Sequence, residues 1–137
     1  MDTQRVLVLD DDRDFGQLVY DLAQTHGMDC FITTDSMTFL ESVAPSTTLI
    51  FLDLVLPHSG GVEVMEKLSR MKCFTPIVLM SGADLGVLET MEEWGKTLGL
   101  NVVGYLHKPF HIRDLEAILQ SQRVTAPNSS LSDRAGE

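Results

Sequence analysis

The chain has 137 residues, 44% of them hydrophobic and 22% charged, enough for one ordinary domain with its own core and too apolar for a disordered chain. Ten Lys and Arg against twenty Asp and Glu leave a net charge of −10, which argues against direct binding to nucleic acid or to an anionic membrane surface. No apolar run approaches roughly 18 residues, and the first residues run straight into a strand-like segment. The sequence thus predicts an acidic cytoplasmic protein without a signal peptide, in which Cys30 and Cys73, forming no C-x-x-C motif, are buried thiols.

Short apolar runs alternate with helical patterns five times. Val6-Leu7-Val8-Leu9 predicts a first strand that stops abruptly at Asp10-Asp11-Asp12. Phe15, Leu18, Val19, Leu22 and Ala23 then recur at helical spacing, and Gly27 is placed to close that helix in a left-handed cap. Cys30 to Thr33 predicts the second strand; Asp35 is placed to cap a short helix carrying Phe39, Leu40 and Val43, which Pro45 ends. Leu49-Ile50-Phe51-Leu52 predicts the third strand, terminated by Asp53. After a loop through Pro57 and Gly60-Gly61, a helix carries Val62, Met65, Leu68 and Met71. Ile77 to Met80 predicts the fourth strand, ending at Ser81-Gly82, and a helix from about Leu85 to Leu98 precedes Gly99. Val102 to Leu106 predicts the fifth strand, ending at Lys108-Pro109, and Ile112, Leu115, Ile118 and Leu119 mark the last helix. Beyond a domain of residues 1–123, residues 124–137 are small, polar and aperiodic and read as a flexible tail or linker.

Strands one, three and four are apolar along their whole length, the pattern of strands covered on both faces by helices. Right-handed crossovers then favour an α/β fold, a doubly wound five-stranded parallel sheet of order 2-1-3-4-5, flavodoxin-like. In such a sheet every strand's carboxyl end lies on one edge, where ligands bind. This sequence places Asp10 and Asp11 there on strand one, Asp53 on strand three, Ser81 on strand four and Lys108 on strand five. Convergent carboxylates repel unless a cation sits among them, and a hard divalent ion with oxygen ligands, Mg²⁺ first and Mn²⁺ second, suits them. Ser81 and Lys108 can contact phosphoryl oxygens, and a carboxylate attacking a phosphoryl group forms an acyl phosphate. Taken singly, Asp12 and Asp14 read as helix N-caps and Asp10 and Asp11 as a solvated turn; the joint placement on alternating strand ends is what points to a site.

At these residues the sequence resembles the receiver domain of two-component response regulators. The likeness rests on Val-Leu-Val-Leu-Asp10-Asp11-Asp12, Leu-Ile-Phe-Leu-Asp53-Leu-Val55-Leu56-Pro57 with Gly61 following, Ser81-Gly82, and Tyr105-Leu-His107-Lys108-Pro109-Phe110, across about residues 4 to 122. The resemblance implies that Asp53 accepts a phosphoryl group from a histidine kinase or phosphotransfer protein. It implies Mg²⁺ bound directly by Asp11, Asp53 and the Val55 carbonyl, with Asp10 assisting through water. Ser81 and Lys108 contact the phosphoryl group, Ser81 and Tyr105 move as the switch, Gly82 leaves space, and Pro109 follows a cis peptide bond. It further implies a phosphorelay switch that catalyses only its own phosphorylation and dephosphorylation, with a homodimer through the helix 4–strand 5–helix 5 face. Around Glu92-Glu93-Trp94-Gly95-Lys96 the fourth helix is longer than in compact chemotaxis-type regulators. There it is similar to receivers preceding EAL-type cyclic-di-GMP phosphodiesterase domains, which implies a longer regulator.

Plainer readings sit beside these. Met65, Met71, Met80 and Met91 read as core filler, and His26, His58, His107 and His111 as surface residues, with His107 beside Lys108 a candidate to tune it. Trp94 reads as core or as a dimer anchor. Val55 and Ala83, apolar neighbours of the site, imply a long-lived phospho-form. Two rival functions remain open at this stage. One is a haloacid-dehalogenase-type phosphohydrolase with Asp10 as nucleophile in an Asp-x-Asp pattern with Asp12; the other is a docking module that is never phosphorylated.

Overall fold

The computed structural model describes residues 4–56 and 60–121. Its elements run β1 (Arg5–Leu9), α1 (Arg13–Thr25), β2 (Asp29–Thr33), α2 (Ser36–Ser42), β3 (Thr47–Asp53), α3 (Gly61–Arg70), β4 (Ile77–Ser81), α4 (Leu85–Thr97), β5 (Val102–His107) and α5 (Ile112–Ser121). All four strand pairings are parallel, in the order β2-β1-β3-β4-β5. The expected α/β fold and strand order are therefore those observed. Pro57, His58 and the tail from residue 124 lie outside the described residues.

The central strands explain why periodicity was absent there. Because side chains alternate across a strand, β1 sends Leu7 and Leu9 to one side and Val6 and Val8 to the other, and both sides are covered. Leu7, Leu9, Ile50, Leu52, Ile77 and Leu79 pack under Phe39 of α2, Val64, Met65 and Leu68 of α3 and Leu88 of α4. On the opposite face Val6, Val8, Phe51, Val78 and Met80 pack against Phe15, Val19 and Ala23 of α1 and Leu115 and Leu119 of α5. The edge strands β2 and β5 lose this cover, and Phe31 and Val103 are exposed on them.

Aspartates begin three of the helices. Asp12 accepts from the Asp14 and Phe15 N–H groups, Asp35 from Thr38 N–H and Asp84 from Gly86 N–H, each satisfying donors that the first helical turn leaves unpaired. Gly27 and Gly99 end α1 and α4 with φ of 74° and 86°, the left-handed geometry expected of Gly27. The third helix begins on Gly61, where a Cβ would lie 2.7 Å from the Leu54 Cα. Only a residue without a side chain lets α3 start this close behind the end of β3.

Four expectations need correction. The buried stripe of α3 is Gly61, Val64, Met65 and Leu68, so Val62 and Met71 are exposed: the 62-65-68-71 spacing drifts around a helix of 3.6 residues per turn. Cys30 is half-buried rather than buried because β2 is an edge strand, although burial still pushes its thiol up to about 12. The His26 side chain is only 8% exposed, wedged where α1 ends against α5, with Glu116 3.9 Å away. Ile112, expected on the inner stripe of the last helix, is exposed at its first turn. Trp94 packs half-buried against the core of the α2–α4 side.

The contact at Gly61 is testable. Gly61→Ala is expected to destabilise the protein by about 1–3 kcal/mol, since backbone must move to admit the methyl group. Gly95→Ala, whose added Cβ would meet the side chains of Val102 and Met65, is expected to cost less. Paired denaturant titrations read the difference.

Candidate functional site

The carboxyl edge of the sheet assembles the site residue by residue. Leu9 pairs with Leu52, which sets Asp10 and Asp53 side by side on adjacent strand ends. Ser81 pairs with His107, and the Lys108 N–H donates to the Ser81 carbonyl at 2.8 Å, which holds the lysine next to the serine. Asp10 is fully buried, Asp53 is 4% exposed and Ser81 1% exposed, while Asp11 stands open to solvent. One carboxylate oxygen from each of Asp10, Asp11 and Asp53 falls within 4.8 Å of the others.

Each buried carboxylate is held in the same way. Asp10 Oδ1 accepts from the Asp12 N–H at 2.9 Å, and Asp53 Oδ1 accepts from the Val55 N–H at 3.0 Å. Their Oδ2 atoms both face the Lys108 ammonium, at 2.8 Å from Asp10 and 3.6 Å from Asp53. Burial pushes the Asp53 carboxyl up to about 6; the Val55 N–H and Lys108 pull it down, and the charge of Asp10 pushes it further up. For Lys108, burial disfavours the charge, but the Asp10 hydrogen bond and the charges of both aspartates outweigh it, leaving the amine above its ordinary value. The lysine therefore stays charged and neutralises part of a surplus of buried negative charge.

Sequence reasoning missed one contributor. The Phe15 ring lies under Lys108, with Nζ 5.3 Å from its centroid, and is itself wedged edge-on between Phe51 and Phe110. This aromatic cluster gives the ammonium a cation–π contact. In the sequence Phe15 is one more apolar residue on α1, and nothing in the spacing marks it out.

The remaining expected residues surround this centre. Ser81 Oγ accepts from the Ala83 N–H at 2.9 Å, so the hydroxyl proton is left to donate elsewhere. A Cβ added at Gly82 would meet nothing closer than the Lys108 Cβ at 4.0 Å, and the Lys108–Pro109 bond is cis. The half-buried Tyr105 donates a long hydrogen bond of 3.5 Å to Glu89 on α4. His107 turns instead to the Ala83 carbonyl, 2.7 Å from Nε2, and ties β5 to the loop that carries Ser81. Val55 is exposed beside Asp53, and Ala83 is half-buried. Asp12, the second acid of the Asp-x-Asp pattern, is spent on capping α1.

Residues 6–120 match the response regulator receiver domain. The chain belongs to this family. The receiver is 29% identical over 137 residues to the alkaline phosphatase synthesis transcriptional regulatory protein PhoP of Bacillus subtilis, covering 95% of this chain and 54% of that one. It is 27% identical over 119 residues to the transcriptional regulatory protein CpxR of Escherichia coli, covering 85% of this chain and 48% of that one. The receiver thus spans about half the length of these curated relatives. Among solved structures, a response regulator from Colwellia psychrerythraea superposes with a TM-score of 0.74 at 30% identity, covering 86% of this chain and 94% of that one. The chemotaxis response regulator CheY4 of Vibrio cholerae shares the fold, with a TM-score of 0.72 at 24% identity over 88% of this chain and 99% of that one. Residues 6–120 thus form a receiver domain of the two-component response regulator kind, phosphorylatable on an aspartate.

The raised Asp53 carboxyl has a consequence for stability. The folded receiver holds this proton more tightly than the unfolded chain, so without divalent cations stability falls as pH rises from about 4 to 6 and levels off above. Asp53→Asn is expected to flatten that fall and to stabilise the cation-free protein by about 1–3 kcal/mol at pH 7. Thermal unfolding in chelator across this pH range checks it; parallel profiles for the two proteins would show that the buried carboxylate carries no such cost.

Proposed function

We propose that Asp53 is the phosphoryl acceptor of this receiver, with a histidine kinase or phosphotransfer protein as donor. The observation that carries this reading is the arrangement at its carboxylate, which is buried, faces Lys108, and is grouped with a second buried aspartate and an exposed one. One Asp53 oxygen attacks the phosphorus, a P–O bond forms, the P–N bond of the donor breaks, and the imidazole nitrogen leaves with the electron pair. Lys108 shifts its donor capacity from the aspartate oxygens to the phosphoryl oxygens, and Ser81 donates its free hydroxyl proton to another.

Hard oxygen donors clustered around a surplus of negative charge fit Mg²⁺, with Mn²⁺ as substitute. Asp11 and Asp53 would hold it directly with the Val55 carbonyl, and Asp10 through water. When bound, the ion supplies charge neutralisation for the carboxylates and the incoming phosphoryl oxygens.

The switch in this reading starts from two contacts. Ser81 moves toward the phosphoryl group and carries the loop that His107 ties to β5, and Tyr105 changes rotamer, leaving Glu89. The relay continues through the α4–β5–α5 face, where Leu85, Val87, Val103 and Ile112 are exposed, into a homodimer or an output domain. PhoP and CpxR are named as transcriptional regulators; the net charge of −10 argues that any DNA contact would be made outside this chain. No helix among the described residues is long and apolar enough to cross a membrane; the switch is placed in the cytoplasm, where a histidine kinase or phosphotransfer protein would meet it. The domain catalyses only formation and loss of its own aspartyl phosphate. The likeness of its fourth helix to receivers of EAL-type regulators remains a resemblance of sequence.

Incubation with acetyl phosphate and Mg²⁺, read by intact mass, tests the assignment. One added phosphoryl group is expected on wild type, none on Asp53→Asn, and formation roughly tenfold or more slower on Lys108→Ala. Phosphate release that survives Asp53→Asn and is lost with Asp10→Asn would transfer the case to a phosphohydrolase, and absence of any adduct, from acetyl phosphate or from a kinase, would leave a docking module. After donor removal the adduct is expected to persist for minutes, since apolar Val55 and Ala83 offer attacking water no hydrogen-bonding partner. Decay within seconds would count against that role.

A further inference from the structure

The end of the sheet remote from Asp53 carries a surface that phosphotransfer does not use. Three of the chain's ten Lys and Arg, namely Lys67, Arg70 and Lys72, fall within six residues at the end of α3, and all three are exposed. Among the described residues none has a carboxylate within ion-pair distance. Their nearest acids in sequence are the half-buried Glu66 and, a turn closer to the site, Glu63. On a protein of net charge −10 such a group of unpaired cations is out of keeping with the rest of the surface.

Apolar groups adjoin these cations in the chain, and Lys72 shares a cavity with them. Met71 is 47% exposed and Phe74 68% exposed. Both stand on the rim of a cavity of about 270 Å³ whose walls include Val43, Ala44 and Pro45 from the segment before β3 and Cys73. A cavity of this size admits one or two side chains rather than a cofactor.

The backbone adds an independent observation. The helices α1, α3 and α4 each end on a residue with positive φ, and α1 and α4 place glycine there. After α3 the same position holds Lys72, with φ of 56°. Glycine adopts this conformation without steric cost and a lysine does not, so Lys72 carries a backbone cost that a glycine at this position would spare.

We propose that this patch is a docking site for a short acidic segment of a partner protein that carries a large apolar side chain. Lys67, Arg70 and Lys72 meet its carboxylates, and its apolar residue enters the cavity between Phe74 and Pro45. Charge selects a short segment over an extended polyanion, because the remaining acidic surface repels anything that reaches beyond the patch. The cavity lies at the opposite end of α3 from Asp53, so docking is independent of phosphorylation.

A phage-displayed library of random peptides of about twelve residues, selected on the receiver and depleted on a Lys67→Glu/Arg70→Glu/Lys72→Glu variant, tests this. The expected winners carry net negative charge with at least one aromatic or branched aliphatic residue. Added to isotope-labelled receiver, they shift the backbone amides of residues 43–44 and 70–75, bind more weakly as salt rises, and bind Asp53→Asn equally well. Phe74→Ser is expected to weaken binding roughly tenfold. Lys72→Gly is expected to raise the melting temperature and still weaken binding severalfold, a split that a merely structural lysine would not produce. No enrichment over the variant, neutral or basic winners, or shifts elsewhere would overturn the proposal. Tighter binding of duplex DNA or phosphatidylserine vesicles at the same amides, or self-association abolished by Phe74→Ser, would also overturn it, by assigning the patch to a polyanion or to a second copy.

Discussion

Two buried carboxylates side by side at the end of a hydrophobic sheet constitute an electrostatic defect, and the Lys108 ammonium is what holds it in check. Asp10 and Asp53 lie at the ends of strands that offer no polar compensation nearby, because the four residues before each, Val6 to Leu9 and Leu49 to Leu52, are apolar. The backbone N–H groups of Asp12 and Val55 satisfy one oxygen of each, and Lys108 faces the other. Negative charge remains in excess: the Asp53 carboxyl is pushed up, and Asp11 stands alongside with no ion-pair partner among the described residues. This imbalance is what the proposed function draws on, with a cation and a phosphoryl group as its remedy.

Much of the fold serves to keep that arrangement from relaxing. The β1–β3 and β4–β5 registers bring the four functional strand ends level, and the bond from the Lys108 N–H to the Ser81 carbonyl prevents the lysine loop from drifting. The cluster of Phe15, Phe51 and Phe110 supports the ammonium from below, so in the proposed reaction the lysine would keep a charge-stabilising surface at its base while its tip exchanges partners. Gly61 does comparable work on the other side, allowing α3 to begin directly behind Asp53. In the proposed switch Ser81, Tyr105 and the loop bound by His107 are the parts that move against these restraints, as a two-state element requires.

The molecule divides its chemistry between the two ends of one sheet. Helices in a doubly wound sheet run back against the strands, so each carboxyl-edge loop has a counterpart at the amino edge one helix later. For α3 this means that Asp53 precedes the helix and the cationic, apolar patch around Lys72 and Phe74 follows it. The two surfaces are thus linked by a rigid element yet separated in charge, one negative and one positive, on a protein whose overall sign favours only the first.

The uninterrupted apolar runs of β1, β3 and β4 were legible in the sequence because full burial on both faces imposes a composition that few other structures share. Asp10, Asp53, Ser81 and Lys108 were legible for a related reason, since polar residues that end such runs must lie on one edge of a parallel sheet. Short, weakly patterned segments were not: the stripe of α3 fell one residue from where spacing put it, and the edge position of β2 left Cys30 less covered than its apolar neighbours suggested. The burial of His26 against α5 and the placing of Phe15 beneath Lys108 come from residues about ninety positions apart, through helix packing that no local pattern encodes. The sequence by itself determined which residues meet at the carboxyl edge, because strand order and parallel direction leave them no other place. Only the tertiary structure decided which oxygen faces the lysine, what lies beneath it and which surfaces stay open, because those depend on side-chain packing between elements distant in the chain.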